Sequence, residues 1–464
     1  MQPDPRRWWG LALLSAAQFI VILDTSIVGV ALPAIQTQLG FSAENLSWIF
    51  NAYVVAFGGL LLLGGKLSDV FGARRMFALG FVILTAASIL AGVASSQAVL
   101  IAGRAIQGVG AALIAPSALV LLMQLFAHDG RELGKAFGVW GAAAAAGGTA
   151  GVFLGGVITE WLSWPWTFLV NVPLGALVLL LTPALLPRVH GGIGRIDWLG
   201  AITITGALSL AVYAIVTTGP GQWSSPTTLS LLGVAALLFV GFIVLQAVGR
   251  QPLLPLSIFA TPNLAAANLL MALLGAAWIP LWFYLNLYLQ QVLGLTALYS
   301  GLALVPMTVT IMVLMVWLSG RLVGRFGIKA NLVAGLLAMA VALFLFTRVP
   351  ADGNFWADVL PASLLAALGM ALAYIPATMA GMSGVRPEQT GLASGLISTT
   401  YQIGSAIGLA AMVAVAASQS NSGTELLAGF QAAFFGAMVV AAVGVVGALL
   451  FIAGAPAERA AAAE

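Results

Sequence analysis

The chain contains no cysteine, only two histidines and very little charge. Its 464 residues include 17 Lys and Arg and 14 Asp and Glu, so charged residues make up 7% of the chain. The absence of cysteine excludes disulfides and thiolate metal sites, and two histidines argue against a site built from imidazole ligands. A soluble domain needs far more charge than this to cover its surface. The composition is therefore that of a polytopic membrane protein.

Apolar sequence is what the chain has in abundance. Hydrophobic residues make up 61% of it, and the mean hydropathy is +1.07. A helix needs about 20 apolar residues to cross a bilayer core about 30 Å thick, and this rule predicts about fourteen spans. They lie near 9–37, 46–65, 76–94, 98–124, 133–159, 166–187, 198–217, 227–248, 263–291, 297–320, 329–348, 356–383, 390–417 and 427–453. The first is too long for the hydrophobic region of a signal peptide, so we expect it to be retained.

The basic residues support this count of spans. With the N-terminus inside and each span reversing direction, all but two of the 17 basic residues fall on the cytoplasmic side. The exceptions are Arg348, in an outer loop, and Arg104, inside a span. Cytoplasmic loops of membrane proteins are rich in Lys and Arg. The charges therefore predict a multi-pass protein of the cell (inner or plasma) membrane with both termini in the cytoplasm, and they give no indication of nucleic acid binding.

An internal repeat divides the chain. The stretch "GKLSDVFGARR" joins spans two and three, and "GRLVGRFGIK" joins spans ten and eleven in the same frame. Parallel repeats that enclose a site near the membrane midplane are typical of transporters. The repeat predicts two six-helix bundles, an inserted helix pair and a cytoplasmic tail, at 1–190, 251–455, 191–250 and 456–464 respectively.

Several stretches resemble the Major Facilitator Superfamily, and in particular its fourteen-helix drug–proton antiporter branch (EmrB/QacA-like exporters). They are "LDTSIVGVALPAI", "GGKLSDVFGARR", "LIAGRAIQGVGAAL", "GGTAGVFLGGVITEWLSWPWTFLVNVPLG", "RIDWLGAITITGALSLAVYAI" and "GLASGLISTTYQIGSAIG". The resemblance implies an all-α membrane fold of two six-helix bundles plus two inserted helices. It also implies a secondary active transporter that exports lipophilic drugs or metabolites, neutral or cationic, in exchange for protons by alternating access.

The chain departs from that branch at several positions. The family usually has Asn at the position of Gly29, Pro at Val152 and Arg at Pro165. In span thirteen, Ser398 and Tyr401 replace a usual Asn and Arg. The missing proline weakens the inference from this motif to antiport, and the lost polar groups indicate a site adapted to a less charged substrate.

Two opposite charges lie deep in the predicted spans. At the helical rise per residue, Asp24 and Arg104 both lie about 20 Å from the cytoplasmic side. Burial favours a neutral carboxyl and a nearby arginine favours a carboxylate, so small movements can change how tightly Asp24 holds a proton. We expect Asp24 to exchange the proton, with Arg104 tuning it and Gln107 extending the polar patch. The alternatives are a structural ion pair between two spans and, for Gln107, an ordinary interhelical hydrogen bond.

The loop between spans two and three is predicted to be a cytoplasmic gate. The resemblance assigns this role to Gly65, Asp69, Gly72, Arg74 and Arg75. Asp69 has the position of a residue that caps a helix or pairs with a basic neighbour. The alternative is that the loop serves topology and capping alone.

Small residues dominate span five. Gly147, Gly151, Gly155 and Gly156 let helices approach closely, and we expect them to pack at an interface that moves; packing without motion is the alternative. They are not a nucleotide-binding loop, because no strand precedes them and no GxxxxGK[ST] motif occurs.

Aromatic residues predict where a lipophilic substrate binds. Trp278 and Trp282 are four apart in span nine and share a helix face, and aromatic rings suit lipophilic or cationic compounds. We expect them to line the substrate site with Tyr374, Tyr401 and Gln402. The alternative is an aromatic belt at the membrane surface.

No catalytic cluster, metal-ligand group or pair of deep carboxylates is evident in the sequence. We therefore expect no enzyme activity and no cofactor, with the proton gradient as the source of energy. The expected partners are the bilayer, protons and a small lipophilic substrate, and an accessory export protein is left open. His128 and His190 fall in loops and are predicted to be solvated. The alternative functions are export of a lipid or lipid-linked molecule by the same fold, and proton-independent facilitated transport.

Overall fold

The computed structural model describes residues 7–126, 130–188, 196–218, 222–249, 252–385, 389–419 and 426–452. Regular secondary structure in these ranges is helical. His128, His190 and the predicted tail at 456–464 lie outside the described residues.

Fifteen α-helices follow one another in the described ranges. They are α1 (Arg7–Leu39), α2 (Trp48–Phe71), α3 (Ala73–Gly92), α4 (Gln97–Phe126), α5 (Gly130–Trp161), α6 (Pro165–Leu169), α7 (Asn171–Leu185), α8 (Trp198–Thr217), α9 (Pro226–Val248), α10 (Leu264–Leu287), α11 (Ala297–Val313), α12 (Ser319–Phe346), α13 (Leu360–Met382), α14 (Thr390–Gln419) and α15 (Leu426–Phe451). Short 3₁₀ turns occur at Asn45–Ser47 and Leu256–Ala260, and π-helical segments at Tyr288–Val292, Leu314–Leu318 and Phe355–Val359.

The number of membrane spans agrees with the hydropathy. In the described part of the chain, 13 helical stretches are long and apolar enough to cross a membrane, with α6 and α7 together forming one of them. Helix α11 is shorter, at 17 residues, but the π segment Leu314–Leu318 continues it directly into α12. The predicted all-α polytopic membrane protein of about fourteen spans is confirmed.

The helices pack as two similar groups. In the first group α1 packs along α5 and α3 along α4, and in the second group α10 packs along α14 and α12 along α13. The groups meet where α5 contacts α11 and where α2 contacts α14, which are equivalent contacts under the internal repeat. The pair α8–α9 contacts α2 of one group and α14 of the other through α8. The inserted pair therefore touches both groups.

The two copies of the repeated loop share a backbone conformation. Gly72 has φ 93° and Gly327 has φ 79°, and they occupy the same position in the repeated frame. Side chains with a Cβ are strained at such φ values. Gly72 separates α2 from α3, and Gly327 is the non-helical residue inside α12. The bend between spans ten and eleven therefore lies within α12.

The two ends of α1 give convenient names to the two faces of the molecule, the Arg7 face and the Leu39 face. At the Arg7 face, Arg7 forms an ion pair with Glu132 of α5 at 2.8 Å. At the Leu39 face, the Gln97 amide donates to the Leu39 carbonyl at 3.2 Å and so fastens α4 to α1. Successive spans run alternately from one face to the other.

Candidate functional site

A charged pair lies fully buried in the first helix group. Asp24 lies near the middle of the 33-residue α1, and Arg104 lies in α4. Neither side chain has exposed surface, and within the described ranges these two are the only charged side chains that are buried. The structure thus brings together the two residues that the sequence placed at equal depth.

Three donors converge on the Asp24 carboxylate. Arg104 Nη1 donates to Oδ2 at 2.7 Å, while Gln107 Nε2 and Asn171 Nδ2 donate to Oδ1 at 2.9 and 2.5 Å. A carboxylate only accepts hydrogen bonds, so this set of donors matches its ionised form. A buried charge with fewer partners would be costly by several kcal/mol.

Arg104 is itself held by three helices. Its Nε donates to the Ile49 carbonyl of α2 at 3.0 Å, and its Nη1 also donates to Gln107 Oε1 at 3.0 Å. The guanidinium carbon lies 4.4 Å from the centre of the Tyr53 ring, which gives a cation–π contact. Nη2 has no hydrogen-bond partner among the described residues. The guanidinium therefore keeps a fixed position, and the two N–H donors of Nη2 are left over.

Small residues of α4 make this arrangement possible. A Cβ added at Gly108 would lie 2.4 Å from the Tyr53 carbonyl oxygen. The backbones of α2 and α4 therefore touch at this point, which only a glycine allows. Arg104 and Gln107 are three residues apart and share the face of α4 that meets α1. Gln107 Nε2 also donates to Ser88 Oγ of α3 at 2.8 Å. Both roles considered for Gln107 are thus present, since it extends the polar patch and links helices.

Asn171, Ser88 and Tyr53 belong to this cluster but were missed in the sequence. Asn171 is the first residue of α7, directly after the break that separates α6 from α7. A primary amide within the apolar stretch "TFLVNVPLG" was the available signal, because polar groups in spans are expensive and usually paired. The role of Ser88 has no comparable signal, since a serine satisfies itself within a helix.

The glycines of α5 pack against two different partners. A Cβ at Gly147 would lie 2.5 Å from the Phe19 carbonyl oxygen of α1, and a Cβ at Gly151 would lie 2.7 Å from Ser26 Cβ. Gly155 likewise faces α1. Gly156 instead faces α11 of the second group, where a Cβ would lie 2.8 Å from a carbonyl oxygen. Only Gly156 of the four therefore lies at the contact between the two groups.

Two glutamine side chains form hydrogen bonds between the groups toward the Leu39 face. Gln290 Nε2 donates to the Val30 carbonyl at 2.9 Å, and Gln291 Nε2 donates to Gln36 Oε1 at 2.7 Å. Both glutamines lie in the π segment that follows α10, and π segments frequently mark functional positions.

The departure at Gly29 has a steric reason. A Cβ at Gly29 would lie 3.0 Å from Trp282 Nε1 of α10, so the asparagine usual in the family would not fit without moving that indole. A larger residue at position 29 would therefore require the Trp282 indole to move at the contact between the groups.

Of the predicted substrate residues, Trp278 and Trp282 are buried, and Tyr374, Tyr401 and Gln402 are half-buried. Trp278 and Trp282 are 8% and 7% exposed and stack on each other with ring centres 6.2 Å apart. Tyr374 and Tyr401 meet edge to face at 5.7 Å within the second group. Gln402 lies at the contact between groups, its Cβ 2.9 Å from where a Cβ of Gly58 would be. Burial argues against the membrane-surface belt, whose rings face the headgroups.

The predicted gate loop is only partly engaged. Arg74 Nη1 donates to the Leu186 carbonyl at the end of α7 at 3.2 Å, while Asp69 and Arg75 are exposed. Asp69 does not cap α3. The N-cap residue of that helix is Gly72, and no side-chain hydrogen bond caps the helix. Lys66 is the basic neighbour whose charge acts on Asp69. A Cβ added at Gly65 would have Pro116 Cβ as its nearest contact outside its own helix, at 3.8 Å.

Open space surrounds α5 toward the Arg7 face. Phe137, Gly138, Val139 and Gly141 are all exposed. Successive helical residues point about 100° apart, so this part of the helix is open on several sides. A Cβ at Gly138 or Gly141 would have nothing within 4 Å, in contrast to the glycines from Gly147 onward. The helix is thus closely packed toward the Leu39 face and open toward the Arg7 face.

Two repeated helix groups that pack against each other, with an ion pair buried inside a membrane-spanning bundle, are typical of secondary transporters. The chain belongs to the Major Facilitator Superfamily, whose sequence model matches residues 14–409. This confirms the family and the fold inferred from the motifs.

Relatives of known role are antibiotic resistance and export proteins. The puromycin resistance protein pur8 of Streptomyces alboniger is 38% identical over 412 residues, which cover 88% of this chain and 81% of the relative. The cephamycin export protein CmcT of Amycolatopsis lactamdurans is 37% identical over 434 residues, covering 92% and 89%. The methylenomycin A resistance protein of Bacillus subtilis is 32% identical over 402 residues, covering 86% and 85%. The chain is thus a member of the drug-exporter branch.

Solved structures show the same fold. An autoinhibited peptide transporter of the POT family superposes with a TM-score of 0.69 at 17% identity, covering 96% of both chains. The human organic anion transporter MFSD10 superposes with a TM-score of 0.63 at 18% identity, covering 96% of this chain and all of the other. At such low identity the likeness concerns the fold alone.

Proposed function

We propose that this drug exporter of the Major Facilitator Superfamily is driven by protons and that Asp24 is the group that binds and releases the proton. The observation that supports the proposal is the ion pair of Asp24 and Arg104, 2.7 Å apart and fully buried. Buried ion pairs contribute little to stability compared with apolar packing. A membrane protein that keeps one in its interior is best explained by a functional role.

Protonation acts directly on this pair. It turns the acceptor-only carboxylate into a neutral group with one donor, while the guanidinium of Arg104 stays charged. Losing one partner of a buried ion pair costs about 3–5 kcal/mol, which is enough to favour a different arrangement of the helices. The transporter thus has one bistable contact whose state depends on the proton.

Helix α1 links this contact to the interface between the groups. Asp24 and Gly29 are five residues apart on α1, or about 7.5 Å at the helical rise. Gly29 faces Trp282, and Val30 accepts the hydrogen bond from Gln290. A small rotation or shift of α1 at Asp24 therefore changes the contacts that close the Leu39 face.

The proposal places the Arg7 face in the cytoplasm and the chain in the cell membrane. The basic side chains of Lys66, Arg74, Lys135 and Arg321 lie toward this face, as the positive-inside rule requires. In this orientation the hydrogen bonds of Gln290 and Gln291 to α1 lie toward the outer side of the membrane.

The substrate is proposed to be a small lipophilic compound of the antibiotic type, bound between the groups near Trp278, Trp282, Tyr374, Tyr401 and Gln402. Puromycin and a cephamycin are the first candidates, because two relatives carry these names. The aromatic rings supply apolar surface, and within the described ranges Asp24 is the only buried acid. Recognition therefore does not require a positive charge on the substrate.

The test is efflux from proteoliposomes under an imposed pH gradient, with a neutral lipophilic dye, a lipophilic cation, puromycin and a cephamycin as separate substrates. Asp24→Asn is compared with wild type and with Glu44→Gln, which removes an exposed carboxylate instead. We expect the gradient to accelerate efflux in wild type and in Glu44→Gln, and Asp24→Asn to lose at least 90% of the accelerated component, about 1.4 kcal/mol of coupling, while it still binds substrate.

Two results would contradict the proposal. Efflux that does not respond to the pH gradient in wild type would make the protein a facilitator. A normal response in Asp24→Asn would show that the carboxylate is structural and that another group carries the proton.

A further inference from the structure

We propose that Asn171 is a positioning residue for proton exchange at Asp24, donating a hydrogen bond to the carboxylate and accepting one from the carboxylic acid. This inference rests on the proposed role of Asp24. Asn171 has no exposed surface, and its Nδ2 donates to Asp24 Oδ1 at 2.5 Å. Its Oδ1 is buried and has no hydrogen-bond partner in the part of the chain that the structure describes. The amide therefore has an unused acceptor beside the proton-binding group.

The other two partners of Asp24 lack such an acceptor. Arg104 has only donors. The oxygen of the Gln107 amide accepts from Arg104 Nη1 at 3.0 Å, and its nitrogen donates both to Asp24 and to Ser88 Oγ. Rotation of the Gln107 amide would break contacts with three side chains at once. The Asn171 amide can rotate and lose only its hydrogen bond from Nδ2 to Asp24 Oδ1, which is no longer needed once that oxygen carries a proton.

The chemistry of the acid requires an acceptor. When a proton from the aqueous side binds Asp24 Oδ1, the new O–H group needs a partner, because a buried donor without one is costly. A half-turn of the Asn171 amide about its Cβ–Cγ bond replaces Nδ2 by Oδ1 at the same place. No backbone movement and no other proton transfer is involved, and Asn171 neither gives nor keeps a proton.

The break between two helices presents Asn171 to Asp24. Helix α6 ends at Leu169 and α7 begins at Asn171, and both helices contact α1. The side chain therefore enters the cluster from the start of a helix and reaches Asp24 across a sequence separation of 147 residues.

Few other titratable groups face Asp24. Arg104 of α4 and Tyr53 of α2 are the charged and titratable neighbours in the cluster. Helix α5 has none between Lys135 and Glu160, and α6 and α7 have none at all. Of the second group, α10 and α11 carry only tyrosines: Tyr284, whose hydroxyl donates to the Met412 carbonyl, and the exposed Tyr299. Among the described helices around Asp24, Arg104 and Tyr53 are therefore the groups whose charge acts most directly on the carboxylate.

The first test is the pH profile of gradient-driven efflux in Asn171→Leu, a variant of similar size that neither donates nor accepts. Hydrogen bonds to a charged group are about twice as strong as neutral ones, so the ionised form of Asp24 loses more than the protonated form. We expect the midpoint of the profile to move to higher pH by about one unit, a roughly tenfold tighter hold on the proton. Asn171→Ser, which keeps a donor and an acceptor on a shorter side chain, is expected to shift less.

Asn268→Leu is the matched control. Asn268 is also a buried asparagine, but its amide bonds to the Leu264 carbonyl and to Thr400 within the second group. We expect its pH midpoint to equal that of wild type. An equal shift in this control would overturn the proposal, because the effect would then come from loss of any buried amide.

The second test is infrared difference spectroscopy of the purified protein between high and low pH. The C=O stretch of protonated Asp24 is identified as the band that Asp24→Asn removes. In Asn171→Leu we expect this band to move to higher frequency, because the acid O–H has lost its acceptor. An unchanged band overturns the proposal, even if the pH midpoint moves. If the Asp24→Asn variant keeps gradient-driven efflux, the proposed function fails. If that variant loses gradient-driven efflux but Asn171→Leu changes neither the pH midpoint nor the infrared band, only the role of Asn171 fails.

Discussion

Gly155 and Gly156 are neighbours on α5 that face opposite partners, and alanine at each position is expected to have a different effect. A Cβ at Gly155 would lie 2.7 Å from the Ile27 carbonyl oxygen of α1, in the same helix group. A Cβ at Gly156 would lie 2.8 Å from the Ala297 carbonyl oxygen of α11, in the other group. Gly155→Ala therefore strains every conformation, whereas Gly156→Ala strains only conformations in which the Leu39 face is closed.

The size of the effect follows from the distances. The contact created by Gly156→Ala is 0.6 Å short of the 3.4 Å at which ordinary contact begins, and backbone atoms of α11 have to retreat. Overpacking of this kind costs about 1–3 kcal/mol. Applied to one of two conformations, that cost changes their ratio by about 5–150-fold. Gly155→Ala is expected to lower the unfolding temperature while it leaves the ratio nearly unchanged.

The absence of cysteine makes the assay direct. Ser95 and Asp352 are exposed in loops of the two groups at the Leu39 face, and cysteines introduced there can be spin-labelled without removing any native thiol. Electron–electron double resonance then gives the distance between the groups at that face. Arg75 and Arg325, exposed in the two repeated loops, give the distance at the Arg7 face.

We expect Gly156→Ala to lengthen the first distance and shorten the second, and Gly155→Ala to change neither distribution. Identical distributions in the two variants would refute the assignment of Gly156 to the contact between the groups.

Three further predictions concern stability, the ion pair and the hydrogen bond of Gln290 at the Leu39 face. Gly147→Ala is expected to lower the free energy of unfolding by about 1–3 kcal/mol, whereas Gly138→Ala, in open space, should leave it unchanged or raise it by up to about 1 kcal/mol; equal effects in detergent unfolding would contradict the packing of α5. Arg104→Lys keeps the charge but loses the forked donors, so gradient-driven efflux should fall at least about tenfold (1.4 kcal/mol), and wild-type efflux would show that charge alone suffices. Gln290→Leu removes one hydrogen bond across the Leu39 face, worth about 0.5–1.5 kcal/mol. Its loss should change the ratio of open to closed conformations by about two- to tenfold, so that the longer distance at that face is populated more often. An unchanged distance distribution would show that the bond does not hold the groups together.

The span count and the ion pair were predictable because they rest on strong physical contrasts. Charge is rare inside a membrane, so Asp24 and Arg104 stood out, and the fixed rise of a helix placed them at one depth. Equal depth made a contact between them possible, and the packing of α1 against α4 brings the two side chains to 2.7 Å. Gly72 and Gly327 hold the same position in the repeated frame, and the structure shows that both have a positive φ.

The rest of the cluster depends on contacts between distant segments. Asn171 bonds to Asp24 across 147 residues, and no local pattern in its own span reveals the partner. Of the two roles considered for Asp69, capping does not occur at α3. The chain turns there through the positive φ of Gly72, which is itself the N-cap residue of that helix.

The departure at Gly29 could be seen in the sequence but not explained there. Its reason is the indole of Trp282, which lies on a helix more than 200 residues further along the chain. The contact between α1 and α10 exists only in the assembled interface, so the sequence alone could not show it.

The balanced charge of the buried pair has an electrical consequence. Ionised Asp24 and Arg104 together carry no net charge, and within the described ranges no other charged side chain is buried. If Asp24 binds the proton as proposed, the loaded site carries one positive charge, and the carrier without substrate responds to the membrane voltage only in that form. Moving one charge through 100 mV is worth about 2.3 kcal/mol. Exchange of one proton for a neutral substrate therefore carries current, whereas exchange for a monovalent cation does not, and the voltage dependence of efflux measures the charge of what the protein exports.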